Sequence, residues 1–291
     1  MCERLQAPRI LLQGRIADRL GFRPRQTAVP GLLLLLASGV SSLGANWQLT
    51  LTRDPPGNFP ELRPLRATYR FGWSGFTAAT GEARFAKSSE GRFQLDGTGR
   101  TIGFVRALWK LDVNSHALAD GKTLQPIENR QIEAYRSKKI DTQLTFTARG
   151  VMSARTEGPG GSGGTKNREF SFPGLFDLHS AMLYLRSQPL RDRSTYRIVV
   201  YPATSAYLAT VTVLDREKIS VRAGSYNAIK LDLQLNKVGK NLELQPHRKF
   251  RRAKIWISDD SDRILLRIEA QVFVGTVFAE LYSVHFELPK S

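Results

Sequence analysis

A chain of 291 residues that is 41% hydrophobic can bury a substantial core, and with 24 Gly and 14 Pro it is neither a disordered nor a collagen-like polymer. It carries 43 Lys/Arg against 26 Asp/Glu, a formal charge of +17, and so is suited to acidic surfaces such as anionic headgroups or polymers. Its one cysteine, Cys2, excludes an internal disulfide framework and a Cys-based zinc site.

The first element in chain order is the apolar block 31–40, with five leucines at 32–36. It is too short to span a bilayer, which needs about 20 apolar residues. Arg15, Arg19, Arg23 and Arg25 precede it, and the small residues Ser42, Gly44 and Ala45 follow. Basic region, short apolar region and small-residue exit are the parts of an export signal, expected here over 1–45 with an extended basic region. Losing that segment removes six Lys/Arg and two Asp/Glu and leaves +13 on the rest, so the basic character belongs to the body. Residues 46–64, polar and proline-containing, read as a lead-in linker to a single β-rich domain over 65–288.

From Ala67 onward the chain breaks into short runs of period-two alternation. In the segment 139–149, Ile140, Thr142, Leu144, Phe146 and Ala148 share one face, while Asp141, Gln143, Thr145, Thr147 and Arg149 share the other. That is a strand with one buried side. Ile229, Leu231, Leu233 and Leu235 repeat the pattern, as do Leu266, Ile268, Ala270, Val272 and Val274. Similar runs fall at 67–76, 81–87, 92–98, 110–118, 129–137, 195–201, 207–215, 252–258 and 277–287. Turn residues lie between them at Asp120-Gly121, Ala223-Gly224-Ser225 and Asp259-Asp260-Ser261. The expectation is an all-β, mainly antiparallel fold, as a curved sheet, a sandwich or an open barrel.

Two segments break the pattern. Leu178, Ala181, Met182 and Leu185 stand at helical spacing behind a capping Asp177 and before Pro189, which predicts a short helix near 177–187 with His179 turned to solvent. A further helical turn is expected over 102–109. The five-glycine stretch inside 157–167 reads as a flexible loop. It lacks the Lys-Ser/Thr step into a helix that a phosphate cradle needs.

Catalytic signatures are missing. The histidines at 116, 179, 247 and 285 pair with one another at neither i+2 nor i+4, and Asp177-His179-Ser180 are too close along a helix to form a triad. No metal site and no cofactor are expected. The densest basic run, 247–254, supplies candidate anion contacts in Arg248, Lys249, Arg251 and Arg252. Trp73, Phe76, Phe104, Trp109 and Tyr184 are the candidate apolar lining of a concavity.

Five stretches in succession carry a family resemblance: "YRFGWSGFTAATGEARF", "RQIEAYRSKKIDTQLTF", "DLHSAMLYLRSQPL", "VLDREKISVRAGSYNAIKLDL" and "RRAKIWISDDSDRILLRIEAQVFVGTVFAEL". Over 65–288 the chain resembles the bacterial domain-of-unknown-function family numbered 3108. The resemblance implies an exported envelope protein with a mainly β fold and transfers no catalytic residues. The expected role is a non-catalytic binding or carrier protein in the periplasm or envelope. Its ligand would be apolar or amphipathic, such as a lipid, with membrane contact at most peripheral and nucleic acid not expected. The alternatives are a structural module docking an envelope protein partner and, more remotely, a hydrolase of an envelope polymer.

Overall fold

The computed structural model describes residues 47–57, 63–88, 90–246, 252–272 and 275–287. The chain divides into two units, Met1–Ala45 and Asn46–Ser291. The first unit, and with it the expected export signal, lies outside the described residues.

The second unit is two meanders joined by a helix. The first runs through β1 (Leu65–Trp73), β2 (Phe76–Lys87), β3 (Phe93–Thr101), β4 (Leu111–Ala119), β5 (Pro126–Tyr135), β6 (Lys139–Thr147), β7 (Gly150–Gly158) and β8 (Thr165–Ser171). A short helix, α1 (Gly103–Leu108), interrupts it between β3 and β4. Helix α2 (Leu178–Ser187) leads to the second meander. This comprises β9 (Thr195–Val200), β10 (Ala206–Val221), β11 (Gly224–Val238), β12 (Leu244–Pro246), β13 (Arg252–Ser258), β14 (Leu265–Gln271) and β15 (Thr276–Phe286). All these strands form one antiparallel sheet, in the order β8 to β1, then β15, β14, β13, β11, β10, β9, with β12 beside β11. The seam between the meanders is β1 on β15, with Leu65 opposite Phe286 and Trp73 opposite Val277.

The sheet curls but does not close. Its terminal strands β8 and β9 do not pair, and side chains bridge them instead. Phe170 of β8 lies tilted against Tyr201, just past β9, at 6.0 Å between ring centres, and Ser153 Oγ of β7 donates to the Ala203 carbonyl at 3.0 Å. Leu144, Val151, Phe172, Val199, Leu208 and Val238 form a common core beneath. The free edge of β9 is covered: Thr52 N donates to the Arg197 carbonyl and Phe176 N to that of Val199, each at 2.9 Å. Such cover blocks edge-to-edge pairing with another chain. The edge of β8 is exposed along its length and carries Lys166, Arg168 and Glu169, charges that discourage the same event.

Residues 47–57, which read as a linker, are packed. Trp47 stacks on Phe172 at 5.6 Å and donates from its indole nitrogen to the Leu242 carbonyl at 2.8 Å. Further along, the Asp54 carbonyl accepts from Tyr184 Oη, and the Pro55 carbonyl accepts from Gln188 Nε2. The segment straps α2 to the body.

Helix α2 forms where its periodicity predicts, with Asp177 as its cap. Asp177 accepts from Ser180 N at 2.7 Å while Ser180 Oγ accepts from Asp177 N at 3.0 Å, a reciprocal capping box. The helix differs from expectation in its burial. His179, Ser180, Ala181, Leu183, Tyr184, Leu185 and Ser187 are all buried, and Leu178 alone of the expected apolar face is exposed. An outward face for His179 is therefore wrong, because the sheet wraps more than one side of the helix. Strand β7 was not expected as a separate run. Its inward positions include Ser153 and Arg155, which break the apolar alternation. The glycine stretch after it is a hairpin connection, with Thr156 paired to Thr165 across it.

Asp177 is buried and also accepts from Asn129 Nδ2 at 2.8 Å, so one carboxylate ties α2 to β5. Replacing an N-cap by Ala costs roughly 1 kcal/mol, and leaving buried donors unpaired adds roughly 1–3 kcal/mol. Asp177→Ala is expected to lower unfolding free energy by about 2–4 kcal/mol in urea titrations, with Asp177→Asn losing less.

Candidate functional site

The concave face of β1–β3 and one stripe of α2 enclose an apolar cavity of about 260 Å³. Strands β1, β2 and β3 present Leu65, Ala67, Tyr69, Ala83, Phe85 and Leu95 to it. These positions alternate along each strand and pair across the sheet: Leu65 with Phe85, Ala67 with Ala83, and Phe85 with Leu95. The opposite wall is Leu178, His179, Met182, Leu183 and Arg186, completed by Ile264 and Leu265. His179, Met182, Leu183 and Arg186 fall at i, i+3, i+4 and i+7, one face of α2. The small side chains of Ala67 and Ala83 leave the room that bulkier inward residues would fill.

Two polar groups enter this apolar setting. His179 is 6% exposed, and its Nε2 has no hydrogen-bond partner among the described residues. Burial drives its pKa down to about 4, with the Arg186 charge acting the same way and Asp177 and a hydrogen bond to the Phe93 backbone opposing. The imidazole is therefore neutral at pH 7. Arg186 donates to the Asp262 carbonyl, and burial pulls its pKa down to about 10. Phe85 lies between the two, 5.4 Å from the His179 ring and 5.7 Å from the Arg186 guanidinium carbon. Burial acts in the opposite direction on Tyr69, raising its pKa, and its Oη donates to the Leu265 carbonyl at 3.1 Å. The arrangement can hold an apolar body and offer one hydrogen-bonding and one cationic contact at its end. It has no nucleophile–base pair and no acid pair poised for hydrolysis. No cluster of three or more metal-ligating side chains exists among the described residues.

The residues singled out from sequence do not converge on this cavity. Tyr184 is buried on the other side of α2, 5.1 Å from the Phe176 ring. Trp73 and Phe76 sit at the β1–β2 turn, and Phe104 and Trp109 on or beside α1, all exposed. Arg248, Lys249 and Arg251 lie outside the described residues. Arg252 pairs with Asp232, a carboxylate buried on β11, so its charge is engaged within the fold. Sequence reasoning missed Arg186 and read His179 as exposed. Their i, i+7 spacing with Met182 and Leu183 between was the available signal.

Larger clefts elsewhere carry a different chemistry. One of about 650 Å³, near Arg168, Lys237, Lys240 and Glu243, and one of about 550 Å³, near Arg70, Arg222, Arg267 and Glu280, are lined largely by polar and charged residues. The smaller cavity is the better ligand candidate, because it combines a mainly apolar lining with a buried polar group lacking a partner.

The histidine gives a pH signature. Its pKa is lower folded than unfolded, so the unfolded chain binds the proton first as pH falls. The favourable contribution is complete above about pH 6.5 and lost as pH drops toward 4. Up to about 3 kcal/mol of unfolding free energy is expected to vanish over that window. Urea titrations at pH 7.5 and 4.5 check this, and His179→Gln is expected to flatten the difference.

The comparisons with known proteins agree with this architecture. A crystal structure of a β-barrel-like protein of the domain of unknown function DUF1849 from Brucella abortus superposes with a TM-score of 0.55 at 11% identity. The match covers 78% of this chain and 99% of that one, a likeness of fold alone. A lipoprotein candidate from Parabacteroides distasonis (TM-score 0.33, 7% identity, 80% of this chain and 100% of that one) is too dissimilar in shape to bear on function. The same holds for a candidate exported protein with a YmcC-like fold from Bacteroides fragilis (TM-score 0.29, 12% identity, 78% and 98%). No curated protein matches the sequence. The model of the family described as protein of unknown function DUF3108 matches residues 67–282, from Ala67 on β1 to Tyr282 within β15, and the chain belongs to that family.

Proposed function

We propose that this protein is a non-catalytic binding protein of the bacterial envelope, and that the cavity between α2 and β1–β3 takes a small single-chain amphiphile with an acidic head. The observation that carries the reading is the pairing of an apolar cavity with a buried, unpartnered His179 nitrogen and a desolvated Arg186 guanidinium. The neutral ring turns its one N–H toward the Phe93 backbone, so Nε2 is an acceptor to which a hydroxyl or protonated carboxyl head donates, while an anionic oxygen relieves the cost of keeping Arg186 charged away from water. The acyl tail replaces the solvent that otherwise wets the sheet face. The envelope assignment rests on the signal-like pattern at 1–45.

The size of the cavity sets the ligand. At about 260 Å³ it lies just under the roughly 300–1,000 Å³ of common small-molecule sites, which suits a medium chain and not a two-chain phospholipid. Each buried methylene contributes about 0.8 kcal/mol, so eight or nine give roughly 6–7 kcal/mol, a dissociation constant near 10 µM.

Calorimetry on the full chain with decanoate and decanol tests this. Decanol, held by its tail, is expected to bind in the range of about 10 µM, and decanoate roughly tenfold more tightly. Ala83→Phe, which fills the cavity, is expected to abolish both. Arg186→Gln is expected to weaken decanoate by about tenfold and leave decanol unchanged. Absence of heat with either ligand, or full binding by Ala83→Phe, would sink the reading.

A further inference from the structure

We propose that the rim carrying the β1–β2 turn and α1 is a docking surface for a membrane containing anionic phospholipid. Eleven large apolar side chains are exposed among the described residues, and six of them, Phe71, Trp73, Phe76, Phe104, Leu108 and Trp109, belong to this rim. Such a concentration marks an interaction surface, whereas isolated exposed apolar residues do not.

The six are contiguous by construction. Trp73 stands directly opposite both Phe76 and Val277, and residues directly opposite one another project on the same side of a sheet. Phe71, two residues earlier on β1, shares that side. The turn between Trp73 and Phe76 is Ser74-Gly75, with Gly75 at φ 84°, so two aromatic rings flank a protruding tip. Next to β2 the chain enters α1, held by Ile102 N donating to the Ala78 carbonyl at 3.0 Å. Helix α1 buries no side chain, and Phe104 and Leu108 lie at i, i+4 on one of its faces. A helical turn that buries nothing, capped by an Ile without a side-chain hydrogen bond, gains little from its own fold. Its apolar face is left for something outside the chain.

Charge identifies the occupant. Arg106 pairs with Asp112 at 2.8 Å, whereas Arg100, Lys110 and Arg136 form no close ion pair among the described residues. Arg136 reaches over to donate to the Ala107 carbonyl of α1 at 2.7 Å, and Arg100 and Lys110 both act on Asp112. Aromatic rings collared by cations that form no close ion pair match the boundary between acyl chains and anionic headgroups. A second copy of this chain would instead bring the same cations together.

The rim continues the cavity. Leu65, Ala67 and Tyr69 line it, and Phe71 and Trp73 are the next two residues on that side of β1. At about 3.3 Å per residue, Tyr69 lies roughly 13 Å from the tip. Docking at the rim would set the open end of that strand face against the lipid from which an amphiphile is drawn. The docking itself does not require the cavity to be occupied.

The test uses the full chain with vesicles of phosphatidylcholine, alone or mixed with phosphatidylglycerol, in sedimentation. At least tenfold preference for the mixed vesicles is expected, declining with salt. The double variants Phe104→Ser/Trp109→Ser and Lys110→Glu/Arg136→Glu are each expected to lose about tenfold in partitioning. Brominated lipid should quench fluorescence through Trp73 and Trp109, so that Trp73→Phe/Trp109→Phe still sediments but loses the quenching, since Trp47 and Trp256 are buried. Equal partitioning of wild type and rim variants would overturn the proposal by assigning the affinity to another segment such as 1–45. Dimerisation abolished by the same variants would overturn it in favour of a second copy. Decanoate binding by the rim variants should match wild type, so failure of the cavity reading and failure of this one are read on separate instruments.

Discussion

The structure depends on α2 being buried in the concavity of a sheet that never closes its hydrogen-bond ladder. A closed barrel would leave no unpaired edges, but it would need β8 on β9. Here that seam is replaced by a helix inside, a strap outside and aromatic contacts between Phe170, Phe172, Trp47 and Tyr201. The capping box at Asp177 makes this possible, because a ten-residue helix is marginal alone and its first-turn N–H groups would be buried without partners. Asn129 then fixes that capped end to the first meander.

The cavity is a by-product of the same packing. Where α2 meets β11 and β13, Leu185 packs into a dense cluster with Ile229, Leu231 and Ile257. Where it meets β1–β3, the sheet offers Ala67 and Ala83, and the helix offers a histidine and an arginine in place of leucines. One helix thus has a side that specifies the fold and a side left underfilled and polar. Sites of function are where such departures from tight, apolar packing are found.

Much of the fold was legible in the sequence, because single-sided burial writes a period of two. Ile140 and Leu144 are each 1% exposed, as their alternation implies, and α2 falls on the stretch whose period changes to helical. What was illegible depends on the long-range curl. Alternation states that Ser153 and Arg155 share a face but not that the face is inward, since polar residues on a lumen look like polar residues on a surface. For α2, a helix surrounded on several sides needs more apolar positions than one amphipathic stripe, and His179 and Ser180 do not advertise themselves as core. Of the aromatic residues read as a cavity lining, Trp73, Phe76, Phe104 and Trp109 lie at an exposed rim and Tyr184 is buried beside Phe176, a difference that hydrophobicity alone does not encode. The cavity-forming alanines carried no signal at all, since the room they leave exists only when a helix faces them.

The seam of β1 on β15 has a consequence for how the chain comes together. Each meander is built from neighbouring hairpins, which form by local encounters. The two halves meet only through strands some two hundred residues apart, with Leu65 waiting on Phe286 and Tyr69 on Leu281. A chain that emerges amino end first must therefore hold one side of β1 open until β15, some two hundred residues later, has appeared. During that interval the inward face of β1 and the helix-binding concavity are both accessible, and the species is prone to misassociate. Maturation of this fold is governed by the arrival of β15.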